Sequence, residues 1–539
     1  MIWLRSLIIS LSLFVAGFCP VVIENGVQHS LCDQVFDGDV TLNGTVTIPG
    51  GTIDPTAAKK TTVGITYYVR TTGSDLNDCL AVGTACLTPQ AALDKIPEFI
   101  GHAMVVDIGT GTFGGFVLKP RIYTDNTVSL TIKGTLGLVT PATGTNAGTA
   151  TSGDTFNCTD SGQTWTANDL RGKLALVNGE YRVIRTNTAT SMELVGPLAA
   201  TCSGKAYQIV EQKTILNTAN TIGTEVISVY NQTSTGAIGR WFLQDIRVDS
   251  PGAVTRGIYS GQGSSGNLQR LAVYSQAGQT GIFVSRPLQS ANENDLYVNG
   301  GATGFNWTSV YSSGTNVSRH YSYGASDSGA QIWYSDQFVS NYLYVDNAAY
   351  GVRLYYSFQI NLNRPFMSSI TTYGVRTRDV TYLSLTGVGN ISSTGTALYI
   401  ITGGDTVVTD MTLKSTNSHA IMAGIGIGSE AKGGYLYVSN STLKDNGGSA
   451  IYAAGPGTSV RVNSVATAGG TGNTRFGIEL EDGAQAYVRS GIIANPLTGT
   501  MGNATIEDAK TVLTWSTDFA TNLSSVWDQN SGCRIKRRD

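Results

Sequence analysis

The chain has 539 residues, with 35 Lys and Arg against 38 Asp and Glu, a net charge of −3, and only 14% charged residues beside 65 glycines. Sparse and balanced charge argues against a nucleic-acid partner, which would favour a clustered basic face, and a length beyond the usual single core asks for an architecture that grows by addition. The surface is left to Ser, Thr, Asn, Gln and Tyr, which suits neutral polar ligands, sugars included.

The first segment, MIWLRSLIISLSLFVAGFCP, has one Arg and then an apolar run from Leu7 to Phe18 followed by small residues. That order describes a secretory signal, short for a membrane span; a retained apolar arm is the alternative. Residues 36–56, FDGDVTLNGTVTIPGGTIDPT, alternate strand formers with Gly and Asn and predict a small β module or stalk, so residues 1–60 are taken as one N-terminal unit. Pro55–Gly64 reads as a linker.

From Thr66 to Pro97 the sequence TYYVRTTGSDLNDCLAVGTACLTPQAALDKIP predicts a strand at Tyr67–Arg70, a polar loop, and a short helix with Thr88 as N-cap and Pro89 at its first position, ended by Pro97. Such a helix can cover the open apolar end of a stack of strands. The segment resembles the opening of pectate-lyase-like, right-handed parallel β-helix proteins, many phage tailspikes among them. The resemblance extends over roughly residues 66–495. It implies an all-β solenoid with a short N-terminal capping helix and a C-terminal cap, a homotrimer in the virion tail, attachment to other tail proteins through the N-terminal region, and a bacterial surface polysaccharide as partner. A non-enzymatic receptor-binding or structural virion protein, and a secreted bacterial β-helix adhesin or polysaccharide-degrading enzyme, are the other readings of the same resemblance.

First coils are expected over 61–149, with Val105–Ile108, Gly114–Val117 and Val128–Ile132 as strands. Residues 150–212 break the pattern. Two alternating runs there flank Thr186–Thr188 like a hairpin, so a small β subdomain inserted between coils is expected. Cys79 and Cys86 bracket one loop and Cys158 and Cys202 bracket the insertion, giving two disulfide candidates in an oxidising compartment, or else four small buried hydrophobes. No C-x-x-C pair occurs and His29, His102, His320 and His419 are scattered, so neither a metal site nor a cofactor is expected.

The main solenoid is expected over 213–495. A small residue followed by an apolar one recurs at Gly257-Ile258, Gly281-Ile282, Gly304-Phe305, Ala330-Gln331, Gly351-Val352, Gly374-Val375, Ala397-Leu398, Ala420-Ile421, Ala450-Ile451 and Gly477-Ile478. Only Ala330-Gln331 lacks the apolar partner. The spacings are 24, 23, 26, 21, 23, 23, 23, 30 and 27 residues, the period of a solenoid. Short alternations such as Leu296–Val298, Leu343–Val345 and Leu436–Val438, separated by Gly, Asn and Ser, leave no room for helices and select a parallel β-helix. Coils about 4.8 Å apart make ten anchors a rod on the order of 45 Å. Residues 496–539, with Trp515 and Trp527, are expected to form a C-terminal cap or subunit contact.

Tyr274, Tyr297, Tyr321 and Tyr344 recur at 23, 24 and 23 residues with apolar neighbours of opposite parity. One outward column of rings is therefore expected, a platform for sugars or a structural ladder. Trp333, Tyr334, Tyr355 and Tyr356 lie nearby in sequence, and Trp333 joins the candidate sugar-binding set. Hydrolysis would need two carboxyl groups, about 5 Å apart for retention or roughly 6.5–9.5 Å for inversion. Glu293 and Asp295, two positions apart on an extended strand, would share a face at about 6.7 Å, with Arg319 one coil on to hold an anionic sugar. Asp327, Asp336 and Asp346 are further acids, Asp346 being too distant to pair with Asp295. The Asn-Thr-Asp, Asp-Asp and Gly-His-Gly motifs of polygalacturonases are absent, and Arg534-Ile535-Lys536 falls in the tail, outside the expected solenoid. The reading is thus an adhesin for a surface polysaccharide, with its depolymerisation left open.

Overall fold

The computed structural model describes residues 61–492, save short stretches at 62, 120, 124–127, 230–237, 262–263, 286–291, 309–314, 425–433, 444–445, 456, 467–477 and 482–483, together with isolated strands before and after. The chain divides into units Met1–Lys59 and Lys60–Asp539. In the first, Val21–Glu24 pairs antiparallel with Val27–Ser30, and Val46–Ile48 with Gly51–Ile53. The second pair falls in the expected β module, whereas the apolar run Leu7–Phe18 lies outside the described residues.

The second unit is a parallel β-solenoid of about 13 turns. Each central coil contributes strands to three parallel ladders, here sheets I, II and III. One coil runs Asn316–Ser318 in sheet I, His320–Tyr323 in sheet II and Ser328–Trp333 in sheet III, each paired with its counterpart in the next coil. Every backbone group of such a strand finds its partner in the coils on either side, so the sequence need only repeat an in–out alternation.

The repeated apolar anchors form one inward column of sheet III. Ile258, Ile282, Phe305, Ala330, Val352, Val375, Leu398, Ile421, Ile451 and Ile478 are register partners in succession. The fourth anchor is therefore Gly329-Ala330, one residue earlier than Ala330-Gln331, and its missing apolar partner is restored. The small residue before each anchor has a steric cause. A Cβ added at Gly257, Gly281 or Gly329 would run into Val273, Val298 or Val345, inward residues of sheet II; at Gly351 and Gly374 it would meet Met367 and Ile391. Sheets II and III meet here at an edge too narrow for side chains from both.

Between sheets I and II each coil turns on a single residue with left-handed backbone. Asp245, Arg270, Asp295, Arg319, Tyr342, Arg364, Asp410 and Asn440 hold φ between 46° and 61° at this corner. A second such corner, between sheets III and I, carries Tyr334, Tyr356 and Asp379 with φ 52°, 50° and 54°. One left-handed residue turns a strand and shifts the in–out parity beyond it.

At the N-terminal side, the helix Pro89–Asp94 is capped by Thr88, whose hydroxyl accepts from Ala91 N at 3.2 Å. The helix packs on strands Ile65–Val69, Met104–Ile108 and Phe116–Leu118, with Ala92 and Leu93 buried in the main core. Cys79 and Cys86 form a disulfide, Cα–Cα 5.0 Å.

The chain leaves the solenoid after Lys133 and rejoins it at Thr214, where Thr214–Leu216 pairs parallel with Gly111–Phe113. Between them lies an eight-stranded antiparallel sheet. It takes in Leu136–Leu138 and Ala147–Thr149, which pair with Ala206–Gln212, so it begins ahead of residue 150. Its hairpin pairs Glu180–Asn187 with Ser191–Leu194. It has its own core, including Trp165, Ile184, Leu194 and Tyr207, and the Cys158–Cys202 disulfide, Cα–Cα 5.3 Å. Beyond residue 492, Ala504–Ile506, Val512–Trp515 and Arg534–Arg537 extend the parallel ladder. Arg534–Lys536 thus pairs within the stack; the rest of 496–539 lies outside the described residues.

The narrow edge yields a direct expectation. Gly281→Val, whose side chain would run into Val298 and the Gly304 carbonyl, should lower stability by about 1–3 kcal/mol. A thermal unfolding midpoint equal to that of the parent would contradict this packing.

Candidate functional site

The tyrosine column points out of the solenoid core, as alternation requires, yet it does not meet solvent. Tyr297, Tyr321 and Tyr344 are 2%, 0% and 5% exposed. The inserted sheet lies on them, packing Leu174, Val183, Val195 and Val210 against these rings. Gly172 of the insertion sits against the Tyr297 ring, leaving no space for a Cβ. Burial raises the pKa of Tyr297 and Tyr321 and pushes that of Tyr344 up to about 12. Tyr274 belongs to the neighbouring column. Ala272 pairs with Tyr297, whereas Tyr274 pairs with Asn299; the rings of Tyr274 and Tyr297 meet edge-on at 5.9 Å. The expected exposed platform is thus the seat of the inserted sheet.

The carboxylates are redistributed too. Asp295 has φ 56°, so the strand turns there and Glu293 and Asp295 do not share a face. Glu293 projects into the solenoid, 1% exposed, where Trp307 Nε1 donates to Oε2 at 3.2 Å and His320 Nε2 lies 3.9 Å away. The His320 ring lies parallel to two aromatic neighbours, 5.0 Å from Phe305 and 5.8 Å from Trp307, which also contact each other at 5.3 Å. Burial pushes the Glu293 carboxyl up to about 7, against the hydrogen bond from Trp307; burial and then the charge of Arg319 push His320 down to about 3. Both groups are therefore sealed from any substrate.

Arg319 is neutralised at the corner, its Nε and Nη2 donating to Asp295 at 2.7 and 2.9 Å. Asp346 is 8% exposed and receives Nε and Nη2 of Arg185 from the inserted sheet at 2.7 and 2.8 Å. Burial opposes the charge on Arg185, but its bonds to Asp346 and Glu193 outweigh this and raise its pKa. Arg185 also lies 4.0 Å over the Phe366 ring, so Asp346 anchors the insertion. Asp327 accepts both Nη atoms of Arg353 at 2.9 and 2.7 Å. Asp336 is exposed.

An exposed aromatic surface lies elsewhere, on the outer side of sheet III and its corner with sheet I. Trp333 and Tyr355 stack at 4.2 Å and 23°, and Tyr334 and Tyr356 at 5.2 Å and 10°. The two pairs sit side by side on successive coils, with Tyr334 and Tyr356 48% and 41% exposed and Phe358 57% exposed. Trp333 Nε1 donates to Gln331 Oε1 at 3.2 Å, and Gln331 Nε2 donates to Asp327 at 3.2 Å. Arg353, paired with Asp327, covers the Tyr350 ring at 3.6 Å. Further along, Tyr350, Tyr373 and Tyr399 follow one another at 5.8 and 4.6 Å. Bulky residues rarely adopt left-handed backbone, and such strain is commonly kept at ligand clamps. Here Tyr334 and Tyr356 both adopt it while presenting their rings to water. A signal for this surface stood in the sequence, since the aromatic pairs 333–334 and 355–356 recur one coil apart. Among the described residues no group of His, Cys, Asp and Glu could hold a metal ion.

The sequence matches no protein-family profile and no curated protein. Solved structures give distant likenesses. Tailspike protein 3 of bacteriophage CBA120 is 12% identical over 61% of this chain and 50% of its own, with a TM-score of 0.33. The gp54 tailspike of Acinetobacter baumannii bacteriophage AP22, solved with A. baumannii capsular saccharide, is 10% identical over 80% of this chain and 74% of its own, with a TM-score of 0.27. The alpha-1,3-glucanase of Streptomyces thermodiastaticus is 10% identical over 74% and 88%, with a TM-score of 0.36. The chain spans about half the length of the CBA120 protein.

The buried pair makes stability depend on pH in two opposed ways. Glu293 keeps its proton to about 7 in the folded chain against a usual 4.5, so stability falls as pH rises through that window and stays reduced above it. His320, depressed from 6.5 to about 3, lowers stability as pH falls through its own window. Glu293→Gln should be more stable than the parent by about 3 kcal/mol at pH 8 and no more stable at pH 4. Urea unfolding at both values checks this, and an equal difference at the two would refute it.

Proposed function

We propose that the chain is a polysaccharide-binding adhesin whose contact surface is the aromatic face of Trp333, Tyr334, Tyr356 and Phe358, with the buried Tyr355 stacked on Trp333 in support. The observation that carries this is the exposure of Tyr334 and Tyr356, stacked on successive coils in left-handed backbone. Rings at the coil spacing offer apolar area with polar rims, which is what the two faces of a sugar ring require. Trp333 is held by its bond to Gln331, so this part of the platform is oriented before a ligand arrives. A bacterial surface polysaccharide is the proposed ligand, and the tail of a phage virion the proposed location, with a homotrimer joined to other tail proteins through the N-terminal region. These assignments follow the resemblance of Thr66–Pro97 to tailspike opening segments.

Binding without cleavage is the favoured form. Glu293 is enclosed, and Asp295, Asp327 and Asp346 each hold an arginine, whereas Asp336 and, in the corner of the next coil, Asp379 are exposed near the rings without a second free carboxylate shown opposite either across a sugar-sized gap among the described residues. A second reading, a secreted bacterial β-helix adhesin, is favoured by the Cys79–Cys86 and Cys158–Cys202 disulfides, because such bonds persist in oxidising compartments. The N-terminal residue of the mature protein separates the two readings.

Tyr334→Ala with Tyr356→Ala should weaken binding to purified capsule or lipopolysaccharide about tenfold or more, at roughly 1–2 kcal/mol for each exposed anchor removed, while leaving the unfolding midpoint close to the parent's. Unchanged calorimetric affinity in the folded double variant would exclude this face. New reducing ends appearing in the same incubation would add hydrolysis to the assignment.

A further inference from the structure

The corner between sheets I and II carries a charge pattern that the aromatic face does not use. Arg270 donates from Nε and Nη2 to Asp245, one coil before it, at 2.5 and 2.9 Å. Arg319 repeats the arrangement with Asp295 at 2.7 and 2.9 Å. The third pair in the same corner is Tyr342 and Arg364. There Nη1 of Arg364 donates to the Tyr342 hydroxyl at 2.8 Å, and the guanidinium lies 5.6 Å from the ring centre. A phenol thus stands where the two earlier arginines have a carboxylate, and among the described residues no carboxylate lies within ion-pair distance of Arg364.

Space opens at this point. A cleft of about 340 Å³ is lined by Asn341, Tyr342, Asn363, Arg364, Thr386 and Gly387. Gly387 follows Arg364 in the corner with φ 83°, and a Cβ there would lie 2.6 Å from Arg364 Cγ, so the glycine leaves the arginine its place. The polar lining is fixed by bonds along the stack: Thr386 Oγ1 donates to Asn363 Oδ1 at 2.7 Å, and Asn363 Nδ2 to Asn341 Oδ1 at 3.0 Å. Phe156 of the inserted sheet packs against Tyr342 at 6.1 Å. The volume sits at the small end of ligand sites, roughly 300–1,000 Å³, and suits one or two sugar units. A guanidinium takes a carboxylate through two parallel bonds, amides and a hydroxyl match sugar hydroxyls, and the phenol ring offers an apolar face.

We propose that this cleft binds the carboxylate-bearing sugar of an acidic polysaccharide, with Arg364 taking the carboxylate that its corner position lacks. The site is separate from the aromatic face and extends the glycan-binding reading, on which its choice of ligand rests.

The full chain is titrated by calorimetry with oligomers of glucuronate, galacturonate and N-acetylneuraminate, and with their carboxyl-reduced counterparts. At least one acidic oligomer should bind, and its reduced form should bind about tenfold more weakly or worse. Arg364→Gln, on an exposed side chain, should cause a similar loss with an unchanged unfolding midpoint; Gly387→Ala, which places a Cβ against Arg364 Cγ in left-handed backbone, should cause a similar loss together with a lower midpoint. Tyr334→Ala with Tyr356→Ala should leave this binding intact, so failure of the aromatic face and failure of the cleft are told apart. No binding of any acidic oligomer, equal binding of the reduced form, or full affinity in Arg364→Gln overturns the proposal. Displacement of the bound oligomer by an equimolar amount of inorganic phosphate also overturns it, since the cleft would then favour a phosphate group.

Discussion

The structure depends on one backbone device, the single left-handed residue that turns each coil between sheets I and II. Strand alternation alone would run the same faces around the whole coil. A residue at φ near 56°, as at Asp295, resets it, and the two sides of the corner then follow independent in–out patterns. Glu293 is thereby committed to the interior while Tyr297 faces out. Non-glycine residues pay for this conformation in steric strain, on the order of 1–2 kcal/mol each. The Asp245–Arg270 and Asp295–Arg319 pairs offset part of that cost, because a side chain at a sharp corner is well placed to reach the corner of the next coil.

The repeat was legible because a narrow edge imposes a small residue on every coil, and that demand shows in composition. Ala330-Gln331 looked irregular only because Gly329 and Ala330 are both small, so the pattern admitted two registers and the structure uses the earlier one. The corners were not legible. Asp, Arg and Tyr fill them, and none of these announces left-handed backbone as glycine does. A parity carried unbroken from residue 293 to 297 therefore placed Glu293 and Asp295 together. Tyr274 failed for a related reason: the register step from Ala272 to Tyr297 differs from the spacing of the tyrosines, which shifts Tyr274 into the next column.

What covers a face is harder to read than which residues form it. The outward orientation of Tyr297, Tyr321 and Tyr344 followed from alternation, but their burial depends on Leu174, Val183 and Val195, more than a hundred residues away in the chain. The insertion could be recognised from its broken period, whereas its docking site rests on contacts such as Arg185 with Asp346, 161 residues apart. The exposed rings at Tyr334 and Tyr356 lie on another side of the coil, beyond the reach of these contacts.

The seating of the inserted sheet also changes how the stack can come apart. In a solenoid each coil is held by its two neighbours, so loosening at one end can travel inward coil by coil. The insertion is tied covalently between Lys133 and Thr214, yet it grips Ala272, Tyr297, Tyr321 and Tyr344 and reaches Phe366 through Arg185. It works as a splint laid across successive coils, binding them into one cooperative block. Fraying that starts from the C-terminal coils meets that block at the coil of Phe366 and must break the sheet's whole seat to pass it.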